Sequence, residues 1–192
     1  HEIILTGVNV GDFAAPDGTR LLGLLQALDA DPQVTARLRI SSIEPNLLSD
    51  AVIELLAHST KFCKHVHVPM QSGSASVLRA MQRRYRPEHY RARIEQVKRL
   101  MPEAGVGADV IVGFPGETEA DFQATYDLIE SLPIDYLHVF TYSERPGTKA
   151  AVMPNVVPVR TRRDRNARLR QLGELPSAAA RNTPHGDPRK GW

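Results

Sequence analysis

The sequence contains one cysteine, Cys63, in 192 residues. No disulfide can form within such a chain, and a reducing, cytoplasmic setting fits that usage. Long apolar runs are missing too. None approaches the roughly 20 residues that a membrane helix needs, so no membrane role is expected. Charge of one sign is scarce: 24 Lys and Arg against 22 Asp and Glu leave +2, which alone points to neither nucleic acid nor an anionic surface. A basic patch with an apolar signal core is not seen at the start, and the opening residues His1-Glu2 lack a methionine. A piece of a longer protein is therefore expected. The remainder is ordinary globular composition, 42% hydrophobic and 24% charged, enough for one domain with a useful core.

Five short apolar runs alternate with helical stripes. Ile3-Ile4-Leu5, Leu38 to Ile43, His65 to Pro69, Ala108 to Val112 and Tyr136 to Phe140 read as strands. Between them, Leu21, Leu24, Leu25 and Leu28, then Leu47, Leu48, Ala51, Val52, Leu55 and Leu56, recur at helical spacing. Ser74 caps a segment bearing Val77 and Met81, Pro87 opens one with Tyr90, Ile94, Val97 and Met101, and Phe122, Tyr126, Ile129 and Leu132 line another. Continuous apolar strands separated by helices predict an α/β fold with a parallel sheet and right-handed crossovers. Barrel, partial barrel and open doubly wound sheet remain open on pattern alone. Function in all three gathers at the C-terminal strand ends.

Those ends carry Thr6-Gly7-Val8-Asn9, Ser41-Ser42-Ile43-Glu44-Pro45, Pro69-Met70-Gln71-Ser72-Gly73-Ser74, Gly113-Phe114-Pro115-Gly116-Glu117-Thr118-Glu119 and Thr141-Tyr142-Ser143-Glu144-Arg145. Their hydroxyl, amide and carboxylate groups predict a polar rim able to hold an extended polar ligand, although such residues also cap helices. In the glycine turn, Thr118 is expected to be an N-cap with Asp121 as its partner. His65 and His67 fall on one strand face and invite a metal with Asp109 or His138, but motif spacing assembles no ligand set. After Pro154 the chain becomes Arg-rich from Arg160 to Arg170, either a surface for nucleic-acid phosphates or a solvated helix.

Six stretches, Leu5 to Gly11, Arg39 to Asn46, His67 to Ser74, Met81 to Tyr85, Gly107 to Thr118 and His138 to Thr148, resemble in order the radical S-adenosylmethionine domain of the methylthiotransferases. The resemblance runs from about Glu2 to Leu172, and Thr6 to Asn9 with Phe140 to Arg145 are most similar to the branch that modifies threonylcarbamoyladenosine beside the tRNA anticodon. It implies a partial (β/α) TIM-like barrel over residues 1–155, a basic helical extension over 156–174 and a disordered tail over 175–192. It implies S-adenosylmethionine and two [4Fe–4S] clusters in the intact enzyme, tRNA at its anticodon loop as partner, and an electron donor for cluster reduction. The positions matching the family's cofactor contacts are Thr6, Gly7 and Asn9 near the methionine amine, with Ser42 and Glu44 on the next strand end. Gln71 and Ser72 match the ribose side, Arg83 the methionine carboxylate, and Asp109, Ile111 and Gly113 the adenine side.

The chain departs from the family at both ends, and the tail after Leu172 leaves the family pattern. The family's Cys-x3-Cys-x2-Cys loop has no counterpart here, and Cys63 matches no cluster position. The chain alone is therefore expected to be inactive, the back part of a barrel from a longer methylthiotransferase. Two other functions stay in view: a metal-dependent barrel hydrolase using His65, His67 and Asp109, and a non-catalytic RNA-binding polypeptide acting through the Arg-rich stretch.

Overall fold

The computed structural model describes residues 1–174; the tail expected to be disordered, 175–192, lies outside the described residues. The elements run β1 (Glu2–Leu5), α1 (Leu21–Ala30), β2 (Arg37–Ile40), α2 (Asp50–His58), β3 (His65–His67), α3 (Ala75–Ala80), α4 (Pro87–Leu100), β4 (Gly105–Val112), α5 (Glu119–Ser131), β5 (Tyr136–Thr141) and α6 (Val159–Glu174). Pairing is parallel throughout: β1 with β2, and β3 with β4 with β5. The residues just before β3 join the two pieces. Leu38 N–H donates to Lys61 O at 2.9 Å, and Cys63 N–H donates to Leu38 O at 2.8 Å. Strand order thus follows chain order, with no pairing among the described residues closing β5 onto β1. Sequential order excludes a doubly wound sheet, which reverses direction once, and the lack of closure leaves a partial barrel.

Alternation along the strands separates two faces. Val66, Val106, Ala108, Val110 and Val112 are buried on the outer face under the helices. Tyr90, Ile94, Val97 and Phe122, expected from their helical spacing, are all fully buried there. The opposite, concave face carries His65, His67, Gly107, Asp109, Tyr136 and His138, with Ile111 and Phe140 toward the strand ends. β4 starts three residues earlier than its apolar run, because Gly105 and Gly107 pair in the ladder while lacking strand-like side chains.

Local chemistry sets the helix starts. Ser49 Oγ accepts from Val52 N–H at 3.3 Å, Pro87 occupies the first turn of α4, and Thr118 and Asp121 form the expected capping box. Asp121 does more than cap α5. Its carboxylate also accepts from Ser74 Oγ and Ser76 Oγ, each at 2.6 Å, at the start of α3. Lys64 closes the other end of α2, donating to Ala57 O at 2.9 Å, Ser59 O at 2.7 Å and Leu56 O, where carbonyls lack helical partners.

Helix α6 shows that the Arg-rich stretch is more than a solvated helix, because one side of it packs into the fold. Leu169 and Leu172 enter the same core as the sheet, and Asn166 Nδ2 donates to Val139 O at 2.9 Å. Arg162 and Arg165 are buried. Arg162 donates to Val157 O, Tyr142 O and Glu144. Arg165 reaches the glycine turn, 2.6 Å from Glu117 Oε1 and 3.1 Å from Glu119 Oε2. Arg168 pairs with Glu119 and stacks over Phe122, its guanidinium 4.5 Å from the ring centre. Only Arg160, Arg163 and Arg170 of this stretch stay exposed without such partners.

Removing one member of a buried ion pair costs about 3–5 kcal/mol, because the other charge is stranded. Arg165→Ala is expected to lose that much stability in urea unfolding, and Arg165→Ala with Glu117→Gln to lose less than the single change. Asp121 gives a pH test. Burial alone would raise its carboxyl, but donors on Ser74, Ser76 and Thr118 prevail and hold it at about 2. A depressed carboxylate stabilises above its unfolded value of 3.8 and stops doing so as pH falls through about 2. Asp121→Asn should therefore destabilise at pH 7, with the deficit shrinking below pH 4 in melts run across that range.

Candidate functional site

All five strands point the same way, so the loops after Leu5, Ile40, His67, Val112 and Thr141 share one rim. Thr6 and Gly7 are exposed there and Ser42 is partly exposed. Asn9 is tied locally, its Nδ2 donating to Asp12 Oδ2 at 2.7 Å. Glu44 and Arg83 pair at 2.8 Å, so Arg83, expected on a carboxylate of the ligand, has a carboxylate of the protein instead.

Gln71 is the unusual member. Its backbone is in the left-handed region, φ 65°, which costs a non-glycine residue about 1–3 kcal/mol and clusters at functional sites. The backbone groups on both sides are used: Gln71 N–H donates to Asp109 O, and Ile111 N–H donates to Gln71 O, both at 2.9 Å. The side-chain Oε1 is buried with no partner.

Two expected contacts turn out to serve the scaffold. Ser72 is buried at 1% exposure, with Oγ 3.2 Å from Thr125 Oγ1 and accepting from Ser74 N–H. The hydroxyl shapes the loop and does not face the rim. Gly113, at φ 77°, has its N–H on Glu117 Oε1 at 2.9 Å, and a Cβ there would come within 2.3 Å of Arg162 Cγ. Glycine is required by α6 at this point. The Ile111 N–H is likewise used within the sheet, as described above.

Below the rim, the concave face holds a cluster that motif spacing did not assemble. β4 pairs Gly107 with His67 on one side and with Tyr136 on the other. A Cβ at Gly107 would lie 2.0 Å from Tyr136 Cζ, so the glycine lets the Tyr136 ring lean across β4. The phenol oxygen then sits 2.8 Å from His65 Nε2 and 3.0 Å from His67 Nδ1. One step further along, Asp109 pairs with His138. Asp109 Oδ1 is 3.0 Å from His67 Nε2 and 3.1 Å from His138 Nδ1. His65, expected to join a metal with His67 and Asp109, stands outside this group because its Nε2 is engaged with Tyr136; His138 takes its place.

Burial pushes the His65 imidazole down to about 4, so it is neutral at pH 7. Burial alone would raise Asp109, yet the two imidazoles outweigh it and hold its carboxyl below the usual carboxylate range. The face thus carries one carboxylate flanked by the His67 and His138 imidazoles.

Alanine at Gly107 should push Tyr136 off the two histidines and cost about 1–3 kcal/mol, as overpacking does. Titration followed by NMR should show His65 neutral down to about pH 4 in the unaltered chain and shifted toward the ordinary histidine range in Gly107→Ala. An unchanged His65 titration in that variant would remove Tyr136 as its partner.

Comparison with known proteins places these features in a family. Residues 1–129 match the Radical SAM superfamily. The chain is 42% identical over 174 residues to a threonylcarbamoyladenosine tRNA methylthiotransferase of Bacillus subtilis, covering 90% of this chain and 39% of that protein. It is 41% identical over 175 residues to a tRNA-2-methylthio-N(6)-dimethylallyladenosine synthase of Caldicellulosiruptor saccharolyticus, covering 90% of this chain and 37% of that protein. It spans well under half the length of these curated relatives. Among solved structures, coproporphyrinogen III oxidase from Escherichia coli superposes with a TM-score of 0.63 at 19% identity, over 83% of this chain and 39% of that one, a likeness of fold alone. With two thirds of its residues matched, a parallel partial barrel and a polar rim on the strand ends, the chain belongs to the Radical SAM superfamily.

Proposed function

We propose that this chain is the cofactor- and substrate-facing part of a tRNA methylthiotransferase that adds a methylthio group to C2 of N6-threonylcarbamoyladenosine at position 37, in the anticodon loop. The observation that carries the reading is identity above 40% sustained over 90% of the chain with relatives bearing methylthiotransferase names. The two branches match almost equally, 42% against 41%. The concave face favours the first. A threonylcarbamoyl group brings a carboxylate, a hydroxyl and amide groups to Tyr136, His67, His138 and Asp109. A dimethylallyl group would desolvate those residues and return no hydrogen bonds, at a cost of about 1–3 kcal/mol for each group stranded.

Superfamily membership brings S-adenosylmethionine and a [4Fe–4S] cluster. Two features fit the nucleotide: the unpartnered Gln71 Oε1 and the exposed Thr6-Gly7 turn. Gln71 would accept from a ribose hydroxyl. Thr6, Gly7 and Ser42 would meet the methionine end, where Glu44, held by Arg83, suits the ammonium. Ile111, partly buried on the concave face, would lie against the adenine. Ser72, Asn9 and Gly113 would act through loop shape. S-adenosylmethionine, when bound, supplies the radical chemistry of the family. The cluster does not fit the residues present. Cys63 is the one thiol, it is buried at 5% exposure, and its Sγ donates to Glu2 at 3.5 Å. A single thiolate cannot replace the set that holds such a cluster. The electron donor belongs with that cluster, and the cytoplasm is the compartment this reading implies. No helix among the described residues is long and apolar enough to cross a membrane. Arg160, Arg163 and Arg170, exposed on α6, suit tRNA phosphates, so RNA contact belongs to this reading and needs no separate one.

The longer gene product containing these residues, expressed in cells lacking the modification, should yield 2-methylthio-threonylcarbamoyladenosine in digests of tRNA. Gln71→Ala should weaken S-adenosylmethionine binding about tenfold, the worth of one hydrogen bond. A methylthio group found on dimethylallyladenosine instead would refute the branch, and no methylthio product from a cluster-loaded protein would refute the activity.

A further inference from the structure

We propose that His67 Nε2, Asp109 Oδ1 and His138 Nδ1 form a binding site for one divalent first-row transition ion on the concave face of the partial barrel. The three ligand atoms all lie within 4.8 Å of one another, with Asp109 Oδ1 3.0 Å and 3.1 Å from the two nitrogens. Metal–ligand bonds of about 2.0–2.2 Å in tetrahedral geometry separate neighbouring ligand atoms by roughly 3.3 Å. An ion requires Asp109 Oδ1 to move outward slightly and the two imidazole nitrogens, within 4.8 Å of one another, to take a similar separation. Each ligand comes from a different strand, β3, β4 or β5, and the register of the ladders sets all three. Sites built on strands are held more firmly than sites built on loops.

The surroundings point the same way. A ligating histidine ordinarily fixes its ring by donating its other N–H to a neighbouring acceptor. His67 has that neighbour, Tyr136 Oη at 3.0 Å from Nδ1, and Tyr136 has His65 Nε2 at 2.8 Å. Two proton arrangements use the same heavy-atom positions. With no ion, His65 Nε2–H donates to Tyr136, Tyr136 to His67 Nδ1, and His67 Nε2–H to Asp109. With an ion, His67 carries its proton on Nδ1 and donates it to Tyr136, Tyr136 donates to His65 Nε2, His65 carries its own proton on Nδ1, and His67 Nε2 is bare for the metal. His65 Nδ1 is buried without a partner in both arrangements; the other polar atoms of this chain keep theirs. A purely structural Asp–His pair has no need of the Tyr136–His65 continuation.

Two imidazoles and one carboxylate select zinc or ferrous iron over magnesium or calcium, which take oxygen ligands. Three protein ligands leave coordination positions open. They face the concave side, where His138 is 56% exposed, and suit an oxygen donor such as a carboxylate or carbonyl of a bound molecule. Cys63 takes no part. The site is independent of the methylthiotransferase reading, since it rests on distances within this chain alone.

The test uses the 192-residue chain, stripped with a chelator. Zinc is titrated by calorimetry, and cobalt serves as the optical probe. One equivalent of zinc should bind, and cobalt should give a d–d spectrum without a thiolate charge-transfer band. Asp109→Asn and His138→Ala should each weaken binding at least 100-fold while circular dichroism stays native; His138 is exposed, so its removal leaves the fold intact. Tyr136→Phe should weaken binding about 10–100-fold, as loss of a partner to a ligating histidine does. Cys63→Ala should change nothing. No zinc bound by the unaltered chain, equal binding by the His138→Ala chain, or a thiolate band lost in Cys63→Ala would each overturn the site.

Discussion

The backbone hydrogen bonds of β4, to β3 on one side and to β5 on the other, set Gly107 between His67 and Tyr136 and Asp109 opposite His138. Parallel pairing repeats every two residues on a face, so slipping β4 by one position would turn Asp109 into the helices and Val110 toward the cavity. The outer face resists that slip. Val106, Ala108, Val110 and Val112 are packed to 1% exposure or less, and one polar residue in that layer would cost more than the ladder returns. Hydrophobic packing on the convex side thereby aims the imidazoles and the carboxylate on the concave side, and the opening of the barrel gives them access to a ligand.

Polar groups on that inner face are tolerable because the arc is incomplete. A closed eight-stranded barrel fills its interior with interlocking side chains. Five strands cannot, so His65, Tyr136 and Asp109 remain partly exposed. The price of burying them halfway is met by pairing: Tyr136 serves two histidines, and Asp109 serves two more contacts of its own. The helices supply the complementary restraint. Arg162 and Arg165 carry α6 onto the glycine turn after β4, where Glu117 sits at 2% side-chain exposure, so the rim above the cavity is clamped from outside.

Periodicity made the fold legible. Strand runs, the helical stripe Tyr90-Ile94-Val97, Pro87 at a first turn and the Thr118–Asp121 box all follow from spacing or short-range hydrogen bonding; the helix features appear where spacing puts them, and the strands differ only at their ends, β4 by three residues. The rim was legible for the same reason, since strand ends follow from strands. What stayed hidden depended on contacts between distant residues. Gly107 looks like a strand breaker until Tyr136, 29 positions away, is seen leaning over it. His138 stood only as an alternative to Asp109 as a further ligand; the ladder pairing makes the two neighbours. Arg162 and Arg165 read as solvated cations because their carboxylates and carbonyls lie far back along the chain. Ser72 had the composition of a ligand contact, but an inward rotamer gave its hydroxyl to Thr125.

Asp121 joins helix starts that belong to separate crossovers. One carboxylate accepts from Ser74 and Ser76 ahead of α3 and from Thr118 ahead of α5. The loops that leave β3 and β4 are consequently riveted into a single rigid lip. Whatever docks on the rim finds that lip already in place, and the more exposed opposite shore is the Thr6-Gly7-Val8 turn after β1.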